Sequence, residues 1–81
     1  MGVKQIPLYR FVKWLEWHGL EYQRTKDSHD HYNYPERHPK RLLRTVTVRT
    51  KYKDIPILHI HTNLKTMGIS KEQFEQEIKG F

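Results

Sequence analysis

The chain has no cysteine, so disulfides and thiolate metal sites are excluded. It has no apolar run approaching the length of a membrane span. Met1 to Gln5 lacks the apolar stretch of a secretory signal, and Ile6 stands where a myristoylation signal carries Ser or Thr. These absences lead to the expectation of a soluble, cytoplasmic protein with no membrane association. There are only four glycines, and none forms a phosphate-cradling loop or flanks a serine as in a nucleophile elbow. No paired catalytic carboxylates stand out. Acidic residues are missing altogether between Arg37 and Lys53.

What is present is positive charge and aromatic bulk. The chain has 81 residues, which sets a single domain over 1–81 as the expectation. Hydrophobic residues make up only 36%, yet Phe11, Trp14, Trp17, Tyr22, Tyr32, Tyr34 and Phe74 can each bury a large area. A folded domain of modest stability follows, rather than disorder. The formal net charge is +6, which favours an anionic partner: nucleic acid, an acidic protein or a lipid surface. The acid-free tract carries Arg37, Lys40, Arg41, Arg44, Arg49, Lys51 and Lys53. Such a run is either a solvated loop or a phosphate-binding face.

Periodicity supplies the elements. Pro7 suits a first helical turn, and Leu8, Phe11, Val12 and Leu15 fall at i, i+3, i+4, i+7. With Gly19 as terminator, a first helix is expected from Pro7 to His18. Trp14 and Trp17 share its flank. Leu20 to Thr25 reads as a strand with Leu20, Tyr22 and Arg24 on one side. A polar turn follows at Lys26-Asp27-Ser28. His29 to Tyr34 is a second strand stopped by Pro35. Its faces are His29, His31, Asn33 and Asp30, Tyr32, Tyr34, the second the better candidate for burial with Asp30 at the rim. Glu36 to Leu43 is a basic loop, and Arg44 to Arg49 an alternating β-branched strand. Lys51 to Leu58 looks irregular. A second helix is expected from about His59 to Met67-Gly68. Ser70 and Gln73 form a capping box that opens a third helix, whose apolar contacts are Phe74 and Ile78. The order is helix, three strands, then one or two helices. It predicts an α+β two-layer sandwich, with a three-stranded antiparallel sheet packed on helices on one face.

The chemistry concentrates at Ser28-His29. A lone histidine is more often structural than catalytic, but this one follows Arg24 and Lys26 and adjoins the Ser28 hydroxyl. RNA cleavage without a metal needs a base for the 2′-OH, an acid for the leaving 5′-oxygen, and cations for the developing charge. Histidine titrates near neutrality and can perform either proton transfer. Two His-x-His pairs, His29/His31 and His59/His61, raise a metal reading. On a strand the first pair shares a face; on a helix the second diverges by about 200°. Asp30 faces away from the first pair, so no metal or other cofactor is expected. Tyr32-Asn33-Tyr34 and Lys51-Tyr52-Lys53 interleave aromatics with polar and basic residues and can stack on bases. The two tyrosines of the first triplet read as core and Tyr52 as exposed.

The whole pattern resembles the HicA family of bacterial toxins, small ribonucleases of type II toxin–antitoxin systems. The resemblance runs from Phe11 to Ile69. It rests on Leu15-Glu16-Trp17-His18-Gly19-Leu20, Arg24-Thr25-Lys26-Asp27-Ser28-His29-Asp30-His31-Tyr32, Thr45-Val46-Thr47-Val48 and Asn63-Leu64-Lys65-Thr66-Met67-Gly68-Ile69-Ser70. It implies a fold like a double-stranded-RNA-binding domain, and translation-independent endoribonuclease action on mRNA (an mRNA interferase). His29 would be the catalytic residue and a HicB-like antitoxin the partner. The expected RNA-contacting set is Arg24, Lys26, Ser28, Arg37, Lys40, Arg41, Arg44, Arg49, Lys51 and Lys53, with Ser28 orienting the phosphate or His29. Asp27 stands where the family usually has Gly, at a turn where Asp tolerates positive φ better than most residues. The alternative is a catalytically inactive RNA-binding module or protein-interaction domain.

Overall fold

A computed structural model describes residues 5–81. The elements run β1 (Ile6–Pro7), α1 (Leu8–Trp17), β2 (Glu21–Lys26), β3 (His29–Asn33), β4 (Val46–Arg49), β5 (Asp54–Ile55), α2 (Ile57–Met67) and α3 (Lys71–Ile78). Strands β2, β3 and β4 form an antiparallel sheet in that order, and β1 pairs with β5 in a separate two-stranded sheet. The expected α+β architecture, three strands with three helices, is therefore what the chain adopts. The small β1–β5 sheet is an addition. Pro7 belongs to β1 and precedes α1 rather than opening it, and the stretch expected to be irregular supplies β5.

Hydrophobic burial fixes the layers. From α1, Phe11, Trp14 and Leu15 lose all exposure; Val46 and Val48 of β4, Ile60 and Leu64 of α2, and Phe74 of α3 meet them in one core. Trp17 does not join Trp14: it is 61% exposed, its ring edge-on to His18 and Phe81. The α1 and α3 helices are tied by Glu77, whose Oε1 accepts from Trp14 Nε1 at 3.0 Å and meets His18 Nε2 at 2.7 Å. Burial pushes the Glu77 carboxyl up, but hydrogen bonds from Gln73, His18 and Trp14 outweigh it and hold the group below the usual carboxylate range. Ser70 caps α3 by accepting from the Gln73 amide at 3.1 Å. The Gln73 side chain turns forward to Glu77 at 3.0 Å, so the capping box is half formed.

Register decides which side chains face away from the core. Across the sheet, Tyr22 pairs with Tyr32 and Tyr32 with Val46, while Asp30 pairs with Thr25 and Val48. Tyr32, Val46 and Val48 are buried, so this is the helix-covered face. Asp30 sits at its rim and accepts from Thr25 Oγ1 at 2.6 Å. An irregularity between Tyr22 and Arg24 inserts one extra residue in β2. A bulge of this kind switches the faces that follow it. Arg24 therefore lies opposite His31, on the face away from Tyr22, correcting the expectation that the two share a side.

Candidate functional site

Six side chains project from the open face in two cross-strand rows of three. Arg24 and Lys26 come from β2, His29 and His31 from β3, and Thr47 and Arg49 from β4. Lys26 lies opposite His29 and His29 opposite Arg49; Arg24 lies opposite His31 and His31 opposite Thr47. Directly opposed residues have Cβ atoms about 4.5–5.5 Å apart, so three cations bracket two imidazoles.

The hairpin turn that presents His29 is made of Asp27 and Ser28, with φ of 51° and 64°. Two successive positive-φ residues suit a two-residue loop between twisted strands. Asp27 thus takes the backbone conformation that a glycine would supply. The turn also aims the imidazole: His29 Nδ1 lies 2.9 Å from the Asp27 main-chain oxygen. A carbonyl oxygen only accepts, so Nδ1 carries the hydrogen and the neutral ring keeps its lone pair on Nε2. Nε2 has no protein partner among the described residues. The Ser28 carbonyl accepts from the Thr50 amide at 3.1 Å and the Thr50 hydroxyl at 3.3 Å, fastening the hairpin to the end of β4, and the Ser28 hydroxyl makes no hydrogen bond to His29 among the described residues.

His31 reports the electrostatics. Its Nδ1 meets Thr45 Oγ1 at 2.7 Å. Its pKa is lowered, first by burial and then by repulsion from Arg24, His29 and Lys26, with Asp30 opposing. The repulsion from these neighbouring cations, unlike the burial, is the part that favours an anion on this face.

The open face is closed on one side by α2. Asn63, only 3% exposed, donates from Nδ2 to the Thr47 carbonyl at 2.8 Å and accepts at Oδ1 from the Thr47 amide at 3.3 Å. One amide side chain thus occupies the edge of β4 as a neighbouring strand would. This packing forms a cleft of about 140 Å³ lined by His29, Thr47, Arg49, His59, Thr62 and Asn63. In it Arg49 leans 5.6 Å over the Tyr52 ring and donates from Nη1 to the Tyr52 hydroxyl at 3.3 Å, while its Nε is enclosed without a partner. Tyr52, half-buried rather than exposed, also lies 6.0 Å from His59. His59 and His61 are both on α2, where they diverge; only His59 lines the cleft.

The basic tract read as one unit from Arg37 to Lys53 is split by the fold. Arg49 joins His29. Arg44 lines an adjoining open groove with Leu43, Lys65 and Thr66, connected through Thr62, which borders both depressions. Lys51 and Lys53 stand exposed on the connection from β4 to β5. Arg37, Lys40 and Arg41 belong to the loop after β3, at the opposite end from His29; four residue steps at roughly 3.4 Å put the two ends about 14 Å apart. There Arg41 donates to the Tyr34 carbonyl at 2.8 Å, and Arg37 lies 3.6 Å from Glu21 in an exposed ion pair. From the sequence His59 was raised only as half of a His-x-His pair, and Asn63, Thr62 and Lys65 were not singled out as site residues. Of these three, Asn63 alone carried a signal, as a polar residue within the apolar stripe of Ile60, Leu64 and Met67.

Among the described residues no helix is long and apolar enough to cross a membrane. Comparison with known proteins returns no match, whether to a family model, a curated protein or a solved structure.

Proposed function

We propose that this chain is a HicA-like endoribonuclease toxin that cuts mRNA through side-chain proton transfer, with a fold of the double-stranded-RNA-binding type. The observation that carries this reading is the orientation of His29. The Asp27 carbonyl fixes the ring hydrogen on Nδ1, and the register places that ring between Lys26 and Arg49. A neutral His29 accepts the 2′-hydroxyl proton at Nε2, the 2′-oxygen attacks the adjacent phosphorus, and the cations stabilise the charge on the phosphoryl oxygens. The groove beside Arg44 and Lys65 extends the path for the RNA backbone. A HicB-like antitoxin is the proposed protein partner, masking this face, and the cytoplasm the proposed compartment.

The test is incubation of purified protein with single-stranded RNA in EDTA. His29→Ala is expected to lower the cleavage rate by about 10²–10⁴-fold while RNA affinity is kept. An alanine variant that cuts like the wild type contradicts the assignment. Intact RNA bound in a salt-sensitive manner by the wild type favours the binding module without catalysis.

A further inference from the structure

We propose that the cleft between β4 and α2 is an oxyanion site for the scissile phosphodiester, with the Arg49 guanidinium as its anchor and His59 as the second proton-transfer group. The proposal rests on the reading of His29 as the base, and it names the substrate group that the cleft accepts and the acid that completes the reaction.

Three observations meet at this cleft. The first is an unspent donor. Arg49 Nη1 is engaged by Tyr52, yet Nε–H is shut away from solvent with no acceptor. A buried guanidinium donor left unpaired is costly, and the Arg49 side chain that carries it also lines the cleft, where a phosphate would meet a guanidinium. The second is size. A volume of about 140 Å³ corresponds to roughly four or five waters at ~30 Å³ each, enough for one tetrahedral phosphate group. The third is the pair of imidazoles contributed by different elements: His29 from β3 and His59 from the first turn of α2. His59 makes no side-chain hydrogen bond among the described residues, so its ring nitrogens are free to serve a ligand. Thr47 and Thr62 complete the lining together with Asn63.

The chemistry balances without a co-reactant. His29 Nε2 takes the 2′-OH proton as the 2′-oxygen bonds to phosphorus. The bond from phosphorus to the 5′-oxygen breaks, and protonated His59 gives its proton to that oxygen. The products are a 2′,3′-cyclic phosphate and a 5′-hydroxyl. Proton exchange with water returns His29 and His59 to their starting states.

Two experiments separate this proposal from the reading beneath it. In the first, a short RNA oligonucleotide is cut by wild type, His29→Ala and His59→Asn, alongside the same RNA carrying a 5′-bridging sulfur at the scissile position. His59→Asn is expected to lose about 10²-fold or more on the natural RNA and to recover on the sulfur substrate, whose leaving group needs no proton. A His59→Asn variant that cuts natural RNA at the wild-type rate, or whose loss the sulfur substrate does not restore, overturns the role of His59. If His29→Ala is still inactive in that case, the reading of His29 stands. In the second, inorganic phosphate is titrated while the Arg49 Nε–H and histidine ring resonances are followed by NMR. Saturable shifts of Arg49 Nε–H and His59 in the wild type, with the His59 shift lost in Arg49→Lys, support the site, even if the wild type cuts no RNA. No shift at either position overturns it.

Discussion

Two basic regions border β3, built by the same device with different outcomes. On the His29 side Asn63 clamps α2 to Thr47, across from His31; at the far end Asn33 clamps the basic loop, accepting from the Tyr34 and Leu42 amides at 2.7 and 3.1 Å and donating to the Leu42 carbonyl at 3.3 Å. These are the two buried polar residues among those described, each 3% exposed. Both ends are rich in cations. On the His29 side the sheet register positions Arg24, Lys26 and Arg49 around two imidazoles, and the clamp holds α2 against the edge of β4 to enclose a cleft. At the loop end the clamp holds only backbone, and Arg37 and Lys40 stay exposed at the surface. Equal charge therefore does not make equal sites; the difference is whether secondary structure fixes where each charge points.

The largest effects are expected from removing the clamps. Asn63→Ala and Asn33→Ala each strand backbone groups and should lower unfolding free energy by about 1–3 kcal/mol. Denaturant titration measures both. Their consequences should then diverge: Asn63→Ala also dismantles the cleft and its phosphate response, whereas Asn33→Ala loosens the loop and leaves the His29 end intact. Similar losses of phosphate binding in the two variants would break the comparison.

Next in size is the salt dependence of RNA binding. Replacing Arg24 and Lys26 by Ala should reduce the slope of log affinity against log salt by about 1.4, at ~0.7 per phosphate contact on a single strand. Replacing Arg37 and Lys40 should change it less. Fluorescence anisotropy across a salt series gives both slopes.

A smaller effect concerns the turn. Ser28→Gly removes a side chain from a positive-φ position and should stabilise the fold by up to about 1 kcal/mol in thermal unfolding. Cleavage should persist, because the Ser28 contacts come from its carbonyl.

The smallest lies away from both ends. Glu77 has a lowered folded-state pKa, so its charged form stabilises the native state. That contribution is complete above the ordinary carboxylate pKa and is lost as pH falls through the folded value. Glu77→Gln should flatten the acid limb of a stability–pH curve while leaving phosphate binding untouched.

The sequence was legible wherever a feature was local. The apolar spacing of α1, the alternation Val46-Thr47-Val48 and the Ser70 cap each declared their element. The β1–β5 sheet did not, because each strand is two residues long and Ile6 pairs with Ile55 far along the chain. The bulge after Tyr22 was equally silent, and it decides that Arg24 faces His31. At the site, His29 and its flanking cations could be named from the sequence. Their gathering with Arg49 could be read only from register, and His59 only from the packing of α2 against β4. The group that orients His29 is the Asp27 carbonyl, a main-chain atom that no residue type announces.

The most direct test of the central claim is single-turnover cleavage at saturating RNA in EDTA, comparing His29→Ala with a loop variant carrying Ala at Arg37, Lys40 and Arg41. The account predicts a loss of about 10²-fold or more for His29→Ala and a rate within a few-fold of wild type for the loop variant. Equal losses, or a larger loss in the loop variant, would contradict it.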